Sequence, residues 1–301
     1  MEAMTALLTD VTVAEDRIRP HVRHTPVLRT EVAGRPVVLK LEHLQRTGSF
    51  KLRGALNALM SGERPQRVVT ASGGNHGIGV ATAAAILDLP ATVYVPGTVP
   101  PDKARRIEAA GARLVRAGRT YAEAAAAARA AAAEPGAQYV EAYDDPVVIA
   151  GQATVAAEIV RDVPDVDTIA VAAGGGGLAA GTALGGDGRL TVAVEPERCN
   201  SLNAAFAAGE PVDAEVESIA ASALGATRVG LAAFAVLSSH PVHSVLVRDD
   251  EILAARDRLW DEFRLAVEPA AAASFAAWLA GRVPGDLPCL VLCGANATWT
   301  P

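Results

Sequence analysis

Lysine is scarce in this chain: Lys40, Lys51 and Lys103 are the only three among 301 residues. No basic block occurs and the formal net charge is −7, which excludes a nucleic-acid surface. Cysteine is sparse too. Cys199, Cys289 and Cys293 make no C-x-x-C pair, so the expectation is a reducing compartment, the cytoplasm, rather than a disulfide frame. No apolar run reaches the roughly 18 residues of a membrane helix, and Met1 to Asp10 lacks the basic-then-apolar order of a signal peptide. Aromatic residues make up only 4%, so alanine, valine and leucine must build the core. What is present is half apolar and 20% charged, the balance of a globular protein with room for one large core or two smaller ones.

Against that scarcity, one lysine stands in an unusual setting, Thr47-Gly48-Ser49-Phe50-Lys51-Leu52-Arg53-Gly54. A lysine amine becomes a nucleophile when desolvation or a neighbouring cation lowers its pKa. Gly48 supplies a turn and Ser49 an N-cap, which predicts Lys51 in the first turn of a helix reaching about Ser61. Arg53 is the neighbouring cation. A surface lysine on an amphipathic helix would show the same local pattern, so the rest of the chain must decide.

A capped helix is expected from Asp10 or Thr12 to about Arg19, then strands at Val27–Arg29 and Val37–Leu41 around an Ala33-Gly34-Arg35-Pro36 turn. Strands and helices then alternate from Arg67 to Val140, and again from Asp145 to Leu292, with a less regular stretch from Gly209 to Ser244. This alternation predicts an α/β fold of two open, mostly parallel twisted sheets flanked by helices, with a cleft between them. The strands before Lys51 are assigned to the second set. The division is therefore 1–66 with 145–301 as the large domain, and 67–144 as a small inserted one.

Two glycine loops lie between a strand and a helix, where open parallel sheets bind ligands. Ser72-Gly73-Gly74-Asn75-His76-Gly77 offers backbone N–H groups to an anion and adds Ser, Asn and His side chains that a simple tight turn does not need. Gly174-Gly175-Gly176-Gly177-Leu178 reads as a phosphate cradle, or as a linker. Gly174-x-Gly176-x-x-Ala179 with Glu195 downstream also meets the dinucleotide fingerprint, which would make a nicotinamide-dependent oxidoreductase. That reading leaves Lys51 and the Asn75 loop without a role. Cys293 ends a strand at Val291-Leu292-Cys293-Gly294, either as a core thiol or as a ligand contact.

Together these segments resemble the fold type II pyridoxal-phosphate enzymes, the tryptophan-synthase β-like group, and within it serine/threonine dehydratases and serine racemase. The resemblance runs from His24-Thr25-Pro26 through Ser49-Phe50-Lys51, Ser72 to Gly77, Asp145 to Gln152 and the glycine run to Glu195-Pro196, Glu268-Pro269 and Cys293-Gly294. It implies a cofactor, pyridoxal 5'-phosphate, held as a Schiff base on Lys51 in the interdomain cleft. It further implies Phe50 beside the ring, Asn75 on the ring's 3-hydroxyl, and Gly174, Gly175, Gly176, Gly177 and Leu178 on the phosphate. Cys293 would face the pyridine nitrogen. Ser72, Gly73, Asn75 and His76 would hold the carboxylate of a small amino-acid substrate, and the assembly would be a homodimer. The implied reaction is β-elimination. Lys51 takes the Cα proton, the hydroxyl leaves, and the released enamine hydrolyses to ammonia and a 2-oxo acid: 2-oxobutanoate from threonine, pyruvate from serine. A thiol at the pyridine nitrogen does not enforce protonation as a carboxylate would, which suits elimination.

Departures from the group shape the expectation. Serine racemases carry a second serine as the opposite-face base where this chain has Gly73, so elimination ranks above racemisation. Metal-dependent relatives use a Glu, a backbone carbonyl and an Asp at positions that are here Glu195, Cys199 and Ser201; without the Asp, no divalent ion is expected. The stretch Ile219 to Gly225 lacks an acidic residue near Ser222, which leaves the preferred side chain open, including a hydroxyaspartate. The sequence ends soon after Cys293, so a regulatory domain is not expected. A ligand-binding homologue without turnover is the remaining alternative.

Overall fold

The computed structural model describes residues 11–297. Residues 11–18 are helical (α1), so Thr12 lies inside the helix, and the alternative cap, Asp10, falls outside the described residues. Strands β1 (Val27–Val32) and β2 (Arg35–Lys40) form an antiparallel hairpin. Its two loop residues, Ala33 and Gly34, both have positive φ (51° and 76°), the geometry that matches strand twist in a two-residue hairpin loop. Helix α2 (Lys51–Met60) follows. The first alternation is β3 (Arg67–Ala71), α3 (Asn75–Ile86), β4 (Ala91–Val95), α4 (Pro101–Ala109), β5 (Arg113–Arg116), α5 (Tyr121–Ala132) and β6 (Ala137–Tyr139). The second opens with α6 (Pro146–Asp162), β7 (Thr168–Ala172), α7 (Gly177–Gly185), β8 (Leu190–Pro196) and α8 (Ser201–Ala208). It continues with α9 (Ala221–Leu224), α10 (Leu231–Leu237), β9 (Val242–Val247), α11 (Asp249–Phe263), α12 (Pro269–Leu279) and β10 (Pro288–Val291).

The strands form a six-stranded sheet in the order β1-β2-β10-β7-β8-β9 and a four-stranded sheet in the order β5-β4-β3-β6. Apart from β1 against β2, neighbouring strands are parallel. The hairpin before Lys51 joins the larger sheet, with Val38 opposite Cys289. One core packs β7, β8 and β10 against α6, α7 and α12. A second groups Leu52, Leu56 and Leu59 of α2 with Val68, Val93 and Ile107. Each fully buried leucine there stabilises by about 1.5–3 kcal/mol. So α2, which precedes the 66/67 division read from sequence, packs its apolar face into the smaller sheet's core while its first turn meets the larger sheet's strand ends.

Two differences from the sequence reading bear on the site. Helix α3 begins at Asn75, inside the Ser72–Gly77 stretch read as a loop, because Gly77 is a helical residue at a close contact rather than a loop residue. A Cβ at Gly77 would lie 2.5 Å from the Ser72 carbonyl oxygen, and one at Gly79 would lie 3.1 Å from the Lys51 backbone carbon. The stretch read as irregular, Gly209 to Ser244, contains α9, α10 and the first residues of β9, which begins at Val242. Helix α10 is too short and too uniformly apolar (Leu-Ala-Ala-Phe-Ala-Val-Leu) to show a helical period.

Candidate active site

Lys51 opens α2, but Ser49 does not cap it. The residue at the cap is Phe50, with no side-chain cap bond, and the buried Ser49 hydroxyl has no hydrogen-bond partner. The loop is fixed by backbone instead: the Phe50 N–H donates to the Cys293 carbonyl at 3.2 Å, and Ser49 bridges Gly294. Gly48 (φ +69°) makes the turn. The Lys51 amine donates to the Ala142 carbonyl at 2.6 Å and lies 5.2 Å from the Phe50 ring centre. Burial lowers its pKa to about 8, with the Cys293 thiol acting the other way. Arg53 is not the cause. Its guanidinium is spent on Glu42 (2.7 and 3.0 Å) and Glu158 (2.8 and 3.0 Å), both buried carboxylates. Lys40 completes the cluster, donating to Glu158 at 2.6 Å, and Thr25 donates to Glu42 at 2.6 Å. This network ties the first turn of α2 to β2 and α6.

Asn75, the first residue of α3, sits one turn before Gly79, so both occupy the helix face that Lys51 packs against. Its Nδ2 donates to Glu268 Oε1 at 2.7 Å and its Oδ1 accepts from Asn296 Nδ2 at 3.0 Å. Neither Glu268 nor Asn296 was singled out from sequence as a site residue; both reach Asn75 from the far end of the chain. Burial pushes the Glu268 carboxyl up, opposed by its bonds to Asn75 and the Asn296 backbone and by the charges of Lys103 and Arg106. In the same loop the Ser72 hydroxyl accepts from the Gly74 N–H at 3.2 Å. A Cβ at Gly73 would meet Val99 Cγ2 at 3.1 Å. His76 turns inward: its Nε2 lies 2.9 Å from Thr70 Oγ1 and 3.0 Å from the Val140 carbonyl, and burial lowers its pKa to about 3. Its ring is therefore neutral and committed to the core, which leaves only its backbone N–H at the helix start.

The glycine run precedes α7, with Gly176 at φ +89° as the cap. Here each glycine has a packing reason. A Cβ would lie 2.9 Å from Leu224 Cα at Gly174, 2.4 Å from the Tyr143 ring at Gly175, 2.9 Å from Val229 Cγ2 at Gly176, and 2.9 Å from Tyr143 Cβ at Gly177. The result is a cradle of bare backbone at the N-terminus of a nine-residue helix, where unpaired N–H groups and the dipole favour an anion. Leu178 is buried in that first turn. Cys293 is buried just beyond β10, and its thiol is held neutral by burial and the charge of Glu268.

Glu195 is spent elsewhere. Its two oxygens accept from the Leu202 and Asn203 N–H groups at 2.8 Å each, at the start of α8. The Cys199 thiol donates to the Leu224 carbonyl and the Ser201 hydroxyl to the Gly174 carbonyl. Among the described residues no group of three or more metal-capable side chains occurs. The carboxylate that the dinucleotide reading would place on a ribose is thus enclosed and already doubly bonded.

A buried amine of lowered pKa, a bare-backbone cradle for a phosphate, an amide side chain on the amine's side of α3 and a neutral thiol suit pyridoxal phosphate in their donor chemistry. Comparison with known proteins agrees. Residues 18–294 match the family described as pyridoxal-phosphate dependent enzyme. The chain is 39% identical over 299 residues to the L-threonine ammonia-lyase of Geobacter sulfurreducens, covering 94% of this chain and 74% of that protein. Its structure superposes on the T.th. threonine deaminase with a TM-score of 0.92 at 32% identity, covering 97% and 99% of the two chains. The serine racemase of Dictyostelium discoideum gives 0.89 at 29% identity, with coverage of 97% and 99%. The chain belongs to the pyridoxal-phosphate dependent enzymes, in their fold type II branch.

Proposed function

We propose that this protein is an ammonia-lyase that eliminates water from a β-hydroxy amino acid, such as L-threonine or L-serine, to release ammonia and 2-oxobutanoate or pyruvate. The observation that carries it is the Lys51 amine, buried and lowered to about 8, at the junction of the two sheets. Pyridoxal phosphate, when bound, supplies the electron sink for charge that develops at Cα.

Every other role falls to the chain. Lys51 would hold the cofactor and, as a neutral amine, take the proton from the substrate Cα. The N–H groups from Gly174 to Leu178 would hold the phosphate, Phe50 would pack beside the ring, Asn75 would donate to the ring's 3-oxygen, and Cys293 would face the ring nitrogen as a neutral thiol. Ser72, Gly73, Asn75 and the His76 N–H receive the substrate carboxylate at the N-terminus of α3. Gly73 offers no second base, and Val99 crowds any side chain placed there, which favours elimination over racemisation. The 67–144 insertion carries the Asn75 loop. No described helix is long and apolar enough to cross a membrane. A homodimer in the cytoplasm completes this reading, supported by the three free, buried cysteines and by the family resemblance.

A second reading concerns the side chain of the substrate. Lys103 and Arg106 of α4 line the cleft together with Gly73, Asn75 and Ser222, and two cations there suit a distal carboxylate, as in 3-hydroxyaspartate. One assay tests both. Ammonia and 2-oxo acid are measured from L-threonine, L-serine and L-threo-3-hydroxyaspartate, with Lys51→Ala as the null. The expected outcome is turnover lost by about 10²–10⁴-fold in the variant. Equal ammonia release from the Lys51→Ala protein would sink the proposal, and the ranking of the three substrates decides the side chain.

A further inference from the structure

We infer that Glu268 and Asn296 form a positioning clamp that fixes the orientation of the Asn75 amide, so that Asn75 presents a free N–H to the cofactor. The inference rests on the reading of Asn75 as a cofactor contact and goes beyond it.

An asparagine amide has a donor end and an acceptor end of nearly equal shape, so an unrestrained one can turn either toward a ligand. Here the choice is made by the surroundings. Glu268 accepts and does not donate when ionised, so it selects the Nδ2 end of Asn75, at 2.7 Å. Asn296 Nδ2 donates to Asn75 Oδ1 at 3.0 Å and to the Thr47 carbonyl at 2.7 Å, so its own orientation is set by backbone. With Oδ1 engaged by Asn296 and one Nδ2 proton engaged by Glu268, a single N–H is left. Reversing the amide would set a carbonyl against a carboxylate and an N–H against an N–H.

The clamp is itself anchored. The Glu268 N–H donates to the Gly294 carbonyl at 3.0 Å, and the Ala295 N–H to the Gly48 carbonyl at 2.8 Å. A Cβ at Gly294 would lie 2.2 Å from Glu268 Oε1 and displace that carboxylate, and a Cβ at Gly48 would lie 2.7 Å from Asn296 Oδ1. Glu268 is 6% exposed and stands at the N-terminus of α12, where the helix dipole favours its negative charge. Asn75 opens a helix of the smaller sheet's layer; Glu268 is the N-cap residue of α12 on the larger sheet, and Asn296 lies in the coil after β10. The clamp thus also spans the cleft beside Lys51.

The test uses purified holoenzyme and three variants, Glu268→Ala, Glu268→Gln and Asn296→Ala. Two readouts are the pH titration of the visible absorbance of the bound cofactor and its dissociation constant; the third is the split between kcat and KM. Glu268→Ala is expected to move the chromophore's titration midpoint, weaken cofactor binding by about tenfold, the scale of one buried hydrogen bond, and lower kcat more than it raises KM. Glu268→Gln, whose carbonyl still accepts from Asn75, restores most of the wild-type titration. Asn296→Ala shifts it in the same direction as Glu268→Ala and by less, and serves if Glu268→Ala does not fold. A wild-type titration in both Glu268→Ala and Asn296→Ala overturns the clamp, as does a Glu268→Gln protein as impaired as Glu268→Ala. Failure of the wild-type protein to bind pyridoxal phosphate overturns the site reading itself, a distinct result.

Discussion

The Lys51 amine has a pKa of about 8 where an ordinary lysine has 10.5, because burial disfavours its charged form. Only the neutral amine attacks a carbonyl. The rate at which cofactor-free protein captures pyridoxal phosphate should therefore rise with pH and level off above about 8, followed by stopped-flow absorbance; a rate still climbing at pH 10 would contradict the buried amine. The same shift bears on stability. The unfolded lysine holds its proton more tightly, so this contribution is complete above 10.5 and is lost as pH falls through 8. At this scale much of the candidate site was legible in the sequence. Lys51, Asn75 and Cys293 announce themselves by scarcity or by loop chemistry. Glu268 and Asn296 do not, because their meaning lies in contacts with Asn75 across 193 and 221 residues of chain. His76 looks like a substrate ligand until the fold turns its ring toward Thr70 and Val140.

Helix α2 owes its placement to charges that no periodicity reveals. Arg53, 1% exposed, is shared between Glu42 and Glu158, and Lys40, fully buried, also meets Glu158. Removing one member of such a cluster strands buried charge, so Arg53→Met is expected to destabilise the cofactor-free protein by about 3–5 kcal/mol, read as a lower urea midpoint. A loss under about 1 kcal/mol would place this cluster among ion pairs of no consequence. The start of α3 shows why element boundaries escape sequence reasoning. Gly77 looks like a loop residue by propensity, yet its missing Cβ is what lets the Ser72 carbonyl approach, as the missing Cβ of Gly79 does for Lys51. The glycine run before α7 is similar: its cradle was readable, whereas the packing of Tyr143 and Leu224 against it was not.

At the scale of the whole molecule, two alternations of strand and helix gave two sheets, and the hairpin before Lys51 joined the larger one. That topology puts Lys51 where the first turn of α2 leaves the smaller sheet's core for the end of β10, with the start of α3 packed against it. The central claim is that Lys51 holds pyridoxal phosphate there. The most direct measurement is borohydride reduction of the yellow protein, followed by peptide mapping by mass spectrometry. The expected result is one phosphopyridoxyl adduct, on Lys51, with Lys40 and Lys103 unmodified and no adduct on the Lys51→Ala protein. An adduct on Lys103 or Lys40 instead, or none on any lysine of a protein that still releases ammonia, would contradict it.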